Sequence, residues 1–231
     1  MKKYGPPLLA FALLFFPLLW HFHPPLPGGG ENNPGPFPGE KTPEQTATHA
    51  APFKRSDFSG DFKFTPLAHY HVYGKVMGAA RYHFDWTSSV APVDFCIVWG
   101  GLTEPKILRQ LSIHQDFRWC FWEYGADFPY DNQYIGRNMA NTHIIPGSPA
   151  IGRAAGRVRS GDWIELEGEL VRVEGTVGGG SVNWTSSLSR EDTGNGACEV
   201  MYVTRLHLRG KEWRTEIAQL PDSAAGPASS P

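Results

Sequence analysis

A thiol, an imidazole and a group of charges lie in the second half of this chain in an order that could support nucleophilic chemistry. Cys198 follows Gly194-Asn195-Gly196-Ala197, behind the charged run Arg190-Glu191-Asp192, and His143 sits upstream in Asn141-Thr142-His143. A cysteine nucleophile needs its thiolate held by an imidazole or by a helix N-terminus. His143 could serve as that base across space. The run that contains Cys198, ACEVMYV, is strand-like, so no helix is expected to begin there. Asp192 and Glu199 put negative charge beside the sulfur, which disfavours the thiolate. A structural cysteine therefore accounts for the sequence better than a catalytic one, and the Cys198–His143 pair stands as the alternative.

The same residues read well as a turn. Asp192-Thr193-Gly194-Asn195-Gly196 holds Asx side chains that bond the backbone and an Asn-Gly step that accepts positive φ. Arg190 with Asp192 or Glu199 would close it by a charge-assisted pair. The expectation is a hairpin joining VNWTSSLS to CEVMYVTRLHL. Its polar density still makes it the place to seek a ligand, with Asn141, Trp184, Arg190, Asp192 and Glu199 as binding candidates.

Three cysteines leave at least one unpaired in a monomer. In an oxidising compartment two neighbouring thiols would pair, and Cys120 with Cys198 is the first choice, Cys96 being a small core residue in an apolar run. His69 and His71 are two apart on a strand and face the same way, with His83, His114 and His143 as conceivable third ligands. That spacing is too weak to assign a metal, and no cofactor is expected. Trp86, Trp122 and Trp184 stand near strand ends beside polar residues, where aromatics form binding platforms as well as barrel caps.

The elements that must position these residues are mostly strands. HYHVYGKVMGAARYHFDW carries aromatic and β-branched residues, with Gly74 and Gly78 as bends or bulges. VDFCIVWG reads as a strand buried on both faces. DFRWCFWEYG alternates. In SGDWIELEGELVRVEG, Trp163, Glu165, Glu167 and Glu169 point one way, Ile164, Leu166, Leu170 and Val173 mostly the other, and Gly168 is a kink. Two short helices are expected, one capped by Thr103 over EPKILRQL and one capped by Ser148 over PAIGRAAGRV, each with proline in its first turn. The stretch from Gly125 to Pro146 reads as a long functional loop. The whole predicts a mainly β domain, a small antiparallel barrel or sandwich over residues 61–208. The SGD turn before an acidic, glycine-kinked strand is similar to those of OB-like barrels, an analogy of fold alone.

Outside that domain the composition changes. Lys2 and Lys3 precede an apolar run from Pro6 to Trp20, which ends in bulky residues and prolines and lacks a small-residue cleavage site. Residues 1–22 are expected to form a hydrophobic helix, a signal anchor rather than a cleaved signal peptide, with the remainder exported. Residues 23–60 are rich in Pro, Gly, Asn and Thr and read as a disordered tether. Residues 209–231 read as a tail, disordered at its end. A formal charge of -2 gives no basic field for nucleic acid.

Three stretches, ARYHFDWTSSVAPVDFCIVWGGL, NTHIIPGSPAIGRAAGRVRSGDWIELEGELVRV and WTSSLSREDTGNGACEVMYV, resemble a group of uncharacterised bacterial exported or membrane-anchored proteins. The resemblance implies one domain across most of Tyr70 to Val203, and a shared pattern that includes Asn141, His143, Trp184 and the run from Arg190 to Glu199. It implies no activity. Gly196-Ala197-Cys198 is only partly similar to the Ser-x-Gly-Cys signature of cysteine transpeptidases, because an alanine precedes the cysteine. The expected function is a single-pass bacterial inner-membrane protein whose periplasmic β domain binds or assembles with an envelope protein or small ligand. The alternative is an envelope hydrolase or transpeptidase using Cys198 and His143.

Overall fold

The computed structural model describes residues 41–192, 194 and 196–215. The expected signal anchor, and the tether up to residue 40, lie outside the described residues. Among the described residues no helix is long and apolar enough to cross a membrane.

The domain is mainly β. Among the described residues eleven strands run β1 Glu44–Thr46, β2 Phe53–Asp57, β3 Gly60–Arg81, β4 Val93–Val98, β5 Leu111–Asp116, β6 Trp119–Tyr124, β7 Met139–Pro146, β8 Trp163–Val177, β9 Gly180–Thr185, β10 Glu199–Leu208 and β11 Lys211–Arg214. Among the described residues four short α-helices interrupt them, α1 Trp86–Val90, α2 Pro105–Leu108, α3 Asn132–Arg137 and α4 Pro149–Ala155, with a 3-10 turn at Gly100–Thr103. Nine strands form one mixed sheet and β5–β6 a separate hairpin. Within the large sheet β3 pairs with β4, β4 with β7, β7 with β10, β10 with β8, and β8 again with β3. Of these pairings only β7 with β10 is parallel.

Side-chain alternation explains the core. Along β8 the glutamates are half-buried while Ile164, Leu166 and Leu170 are buried. Their partners on β3, β4, β7 and β10 complete an apolar interior that includes Val72, Phe95, Ile97, Ile144, Met201 and Val203. At Gly168 a Cβ would run into the Tyr202 carbonyl, so the strands can approach only because the residue is glycine. The β3–β4 register slips between Val76 and Gly78, which places the expected bend at Gly78.

Several expectations are corrected. Residues 23–60 are not all tether, because β1 and β2 pair with β3. Phe53 supplies the reason: it stacks on Phe64 at 4.9 Å and packs on Tyr202, which offsets the entropy of ordering the segment. The Gly125–Pro146 loop contains α3 and the central strand β7. Thr103 is not the cap of α2; its hydroxyl donates to the Gly100 carbonyl, and Glu104 holds the cap position. Ser148 does cap α4 through the Ile151 amide. Helices α1 and α3, with Asp85 and Asp131 as their N-caps, add to the two expected. The hairpin of VNWTSSLS with CEVMYVTRLHL does not form, since β9 pairs with β8.

Candidate functional site

The chemistry-bearing residues collect on the outer face of β4 and β7. Val93, Phe95 and Ile97 turn into the core, so Asp94 and Cys96 point the other way. In register, Asp94 lies opposite His143 and Cys96 opposite Asn141. On the other side of β7, Glu199 lies opposite Thr142, which brings Cys198 level with Asn141.

Hairpin β5–β6 is folded over this face. Its tip, Phe117-Arg118, has φ of 46° and 65°, the left-handed region usually given to Asn and Gly. The tip aims Arg118 at the sheet. Its Nη1 donates to Asp94 Oδ1 at 3.0 Å and to the Ala91 carbonyl at 3.3 Å. The guanidinium lies 3.9 Å from the centre of the Tyr82 ring and 5.6 Å from that of Trp184. Asp94 is fully buried, and the other oxygen of its carboxylate sits 2.9 Å from His143 Nδ1, outside the alignment of a hydrogen bond. Trp184 covers the His143 ring at 4.5 Å between centroids. A buried carboxylate is tolerable only with such partners.

A disulfide staples the hairpin down. It joins Cys96 on β4 to Cys120 on β6, with Cα atoms 5.9 Å apart, and Cys198 is free. This corrects the expected Cys120–Cys198 pairing. Cys96 is not an apolar filler; it points out of the core toward β6. Asn141 anchors the same hairpin, donating from Nδ2 to the Arg118 carbonyl at 2.7 Å and accepting at Oδ1 from Gln115.

Cys198 and His143 border the same cavity but no hydrogen bond joins them; the sulfur's neighbour is Asn141 Nδ2, at 3.7 Å. Burial pushes the thiol up to about 11, against the Asn141 contact and with Glu199, Asp94 and Asp192 adding to the rise.

Arg190 and Glu199 do pair, and they do so on the core side. Glu199 faces inward on β10, 1 % exposed, and Arg190 reaches in beside it over the Tyr70 ring. Burial raises the Glu199 carboxyl to about 7, with Arg190 opposing the rise. Asp192 turns outward instead and accepts from Ser187 Oγ at 2.6 Å. The described residues between Ser186 and Cys198 therefore form a wall, braced from behind by the buried Arg190–Glu199 pair and tied outside by Arg137, which donates to Glu191.

Two adjoining cavities lie between that wall and the hairpin. One, of about 330 Å³, is lined by residues that include Trp119, Phe121, Asn141, Asp192 and Cys198. The other, of about 480 Å³, is lined by residues that include Phe117, Arg118, Trp119, His143, Asn183, Trp184 and Cys198. Of the sequence-derived candidates, Asn141, His143, Trp184, Asp192 and Cys198 meet here, whereas Arg190 and Glu199 brace the wall from behind.

Arg118 and Asp94 were not among the sequence candidates. Asp94 carried a usable signal, a lone charge inside an apolar strand. Arg118 carried none, because no turn signature marks Phe117-Arg118. His69 and His71 lie elsewhere, on β3, against Glu169 at 3.1 Å and Glu165 at 2.8 Å. Among the described residues no three His, Cys, Asp or Glu side chains are grouped to hold a metal ion. The chain matches no family model, no curated protein and no solved structure.

Proposed function

We propose that the domain is an exported ligand-binding module, built as an OB-like barrel and tied to the inner membrane by the N-terminal apolar run. The pairing order β3-β4-β7-β10-β8 returning to β3, with a helix between β7 and β8, supports the barrel reading. The Cys96–Cys120 disulfide supports an oxidising compartment. One observation carries the binding role: a stapled hairpin and a braced wall leave two adjoining cavities on the outer face of β4 and β7.

Native mass spectrometry on the chain extracted from membranes of cells that produce it tests this. The expected result is a bound species that is absent from a Trp184→Ala variant. Recovery of both proteins only at the masses of their bare polypeptides would remove the binding role.

The Asp94 contact to His143 favours a second reading, in which the imidazole is oriented for Cys198 in an envelope hydrolase or transpeptidase. The raised thiol speaks against it. Labelling by iodoacetamide at neutral pH separates the two: slow modification of Cys198 fits the binding module, and fast modification fits the enzyme.

A further inference from the structure

We propose that the ligand of this groove is a neutral glycan chain, an inference that rests on the binding reading above. The two cavities share Trp119 and Cys198 in their linings, so they adjoin along one elongated groove. Aromatic rings recur along it: Phe117 and Trp184 at one end, Trp119 in the middle, Phe121 at the other. Such rings offer negative faces to the weakly positive C–H face of a sugar. Trp184 is fixed for this by Trp86, His143 and Arg118 around it.

Charge decides against an anion. Among the described lining residues the one cation is Arg118, and its charge is already matched by Asp94 and Asp85. A nucleic acid or phosphate would meet no free positive charge and would meet the exposed Asp192 carboxylate. Hydroxyl groups suit what remains: an acceptor in Asp192 and an exposed amide in Asn183, which both donates and accepts. A quaternary ammonium would also suit rings and a carboxylate, but it would fill only a fraction of cavities of about 330 and 480 Å³.

Fluorine NMR of the full-length chain carrying 5-fluorotryptophan reads the groove directly, with Trp119→Phe and Trp184→Phe assigning the two signals. Titration with chitotriose should move both, and Trp119→Ala should weaken binding about tenfold. Should Trp119→Ala fail to fold, Asn183→Ala, an exposed change, should weaken binding at an unaltered melting temperature. Choline or an oligothymidylate moving these signals where chitotriose does not would overturn the glycan assignment and leave the binding role standing. No response to any of the three overturns it as well, and the native mass measurement then decides separately whether the groove holds anything.

Discussion

His143 and His69 each stand beside a carboxylate on a strand of the same sheet, yet their surroundings differ. His143 and Asp94 are 4 % and 0 % exposed, under a stapled hairpin. His69 and Glu169 are 38 % and 15 % exposed, in an open row with His71, Glu165, Glu167 and Arg205. The residue types are nearly the same. Water screens one group and is kept from the other, so removal of a partner has different consequences. In the open row a lost partner is replaced by solvent. Under the hairpin it strands a charge.

The largest effect should therefore come from the covered face. Arg118→Ala leaves Asp94 buried without its guanidinium, and urea unfolding should show a loss of roughly 3–5 kcal/mol. A loss below that of the open-row change described last would mean that the two faces do not differ as argued. Next is the staple. Replacing Cys96 and Cys120 together by serine should cost about 2–4 kcal/mol, given the separation of 24 residues that it closes. Peptide mapping of the unmodified chain should recover the Cys96–Cys120 link and a free Cys198; a Cys120–Cys198 peptide would refute the hairpin placement.

A third effect distinguishes the buried pair behind the wall. The Glu199 carboxyl is raised to about 7 when folded, against 4.5 for an ordinary one. The folded chain thus holds that proton more tightly than the unfolded chain. Stability from this group is fully present below about 4.5 and is lost as pH rises through about 7. Glu199→Gln should remove this decline, so the difference in unfolding midpoint between variant and parent should grow from pH 4.5 to pH 8. A constant difference would contradict it. The smallest effect belongs to the open row: His69→Ala should change stability by no more than about 1 kcal/mol, and less in high salt.

Strands with uniform patterning were legible in the sequence. β8 alternates glutamate with apolar residues and β4 is continuous, and both fall where the pattern puts them. β7 was not legible, because Asn141-Thr142-His143 interrupts its apolar run. Those polar residues are tolerated in a buried strand only because a distant hairpin and wall supply their partners, and local sequence does not encode that. The same holds for the disulfide: pairing depends on which face of β4 Cys96 occupies, and a strand buried on both faces does not say. The candidate site was located through its polar density, while the residues that fix its shape, Asp94 and Arg118, required the fold.

The pairing of β3 with β8 has a consequence for how the chain is made. His69 and Glu169 face each other across that pairing but are 100 residues apart. At a synthesis rate of about 5–20 residues per second, the first half of β3 waits roughly 5–20 s for its partner to leave the ribosome. During that time β1 and β2 can shield one edge, and the other stays open to a neighbouring nascent chain. The yield of folded protein, followed by pulse-chase, should thus respond to translation speed and to holding chaperones more than to any exposed ion pair.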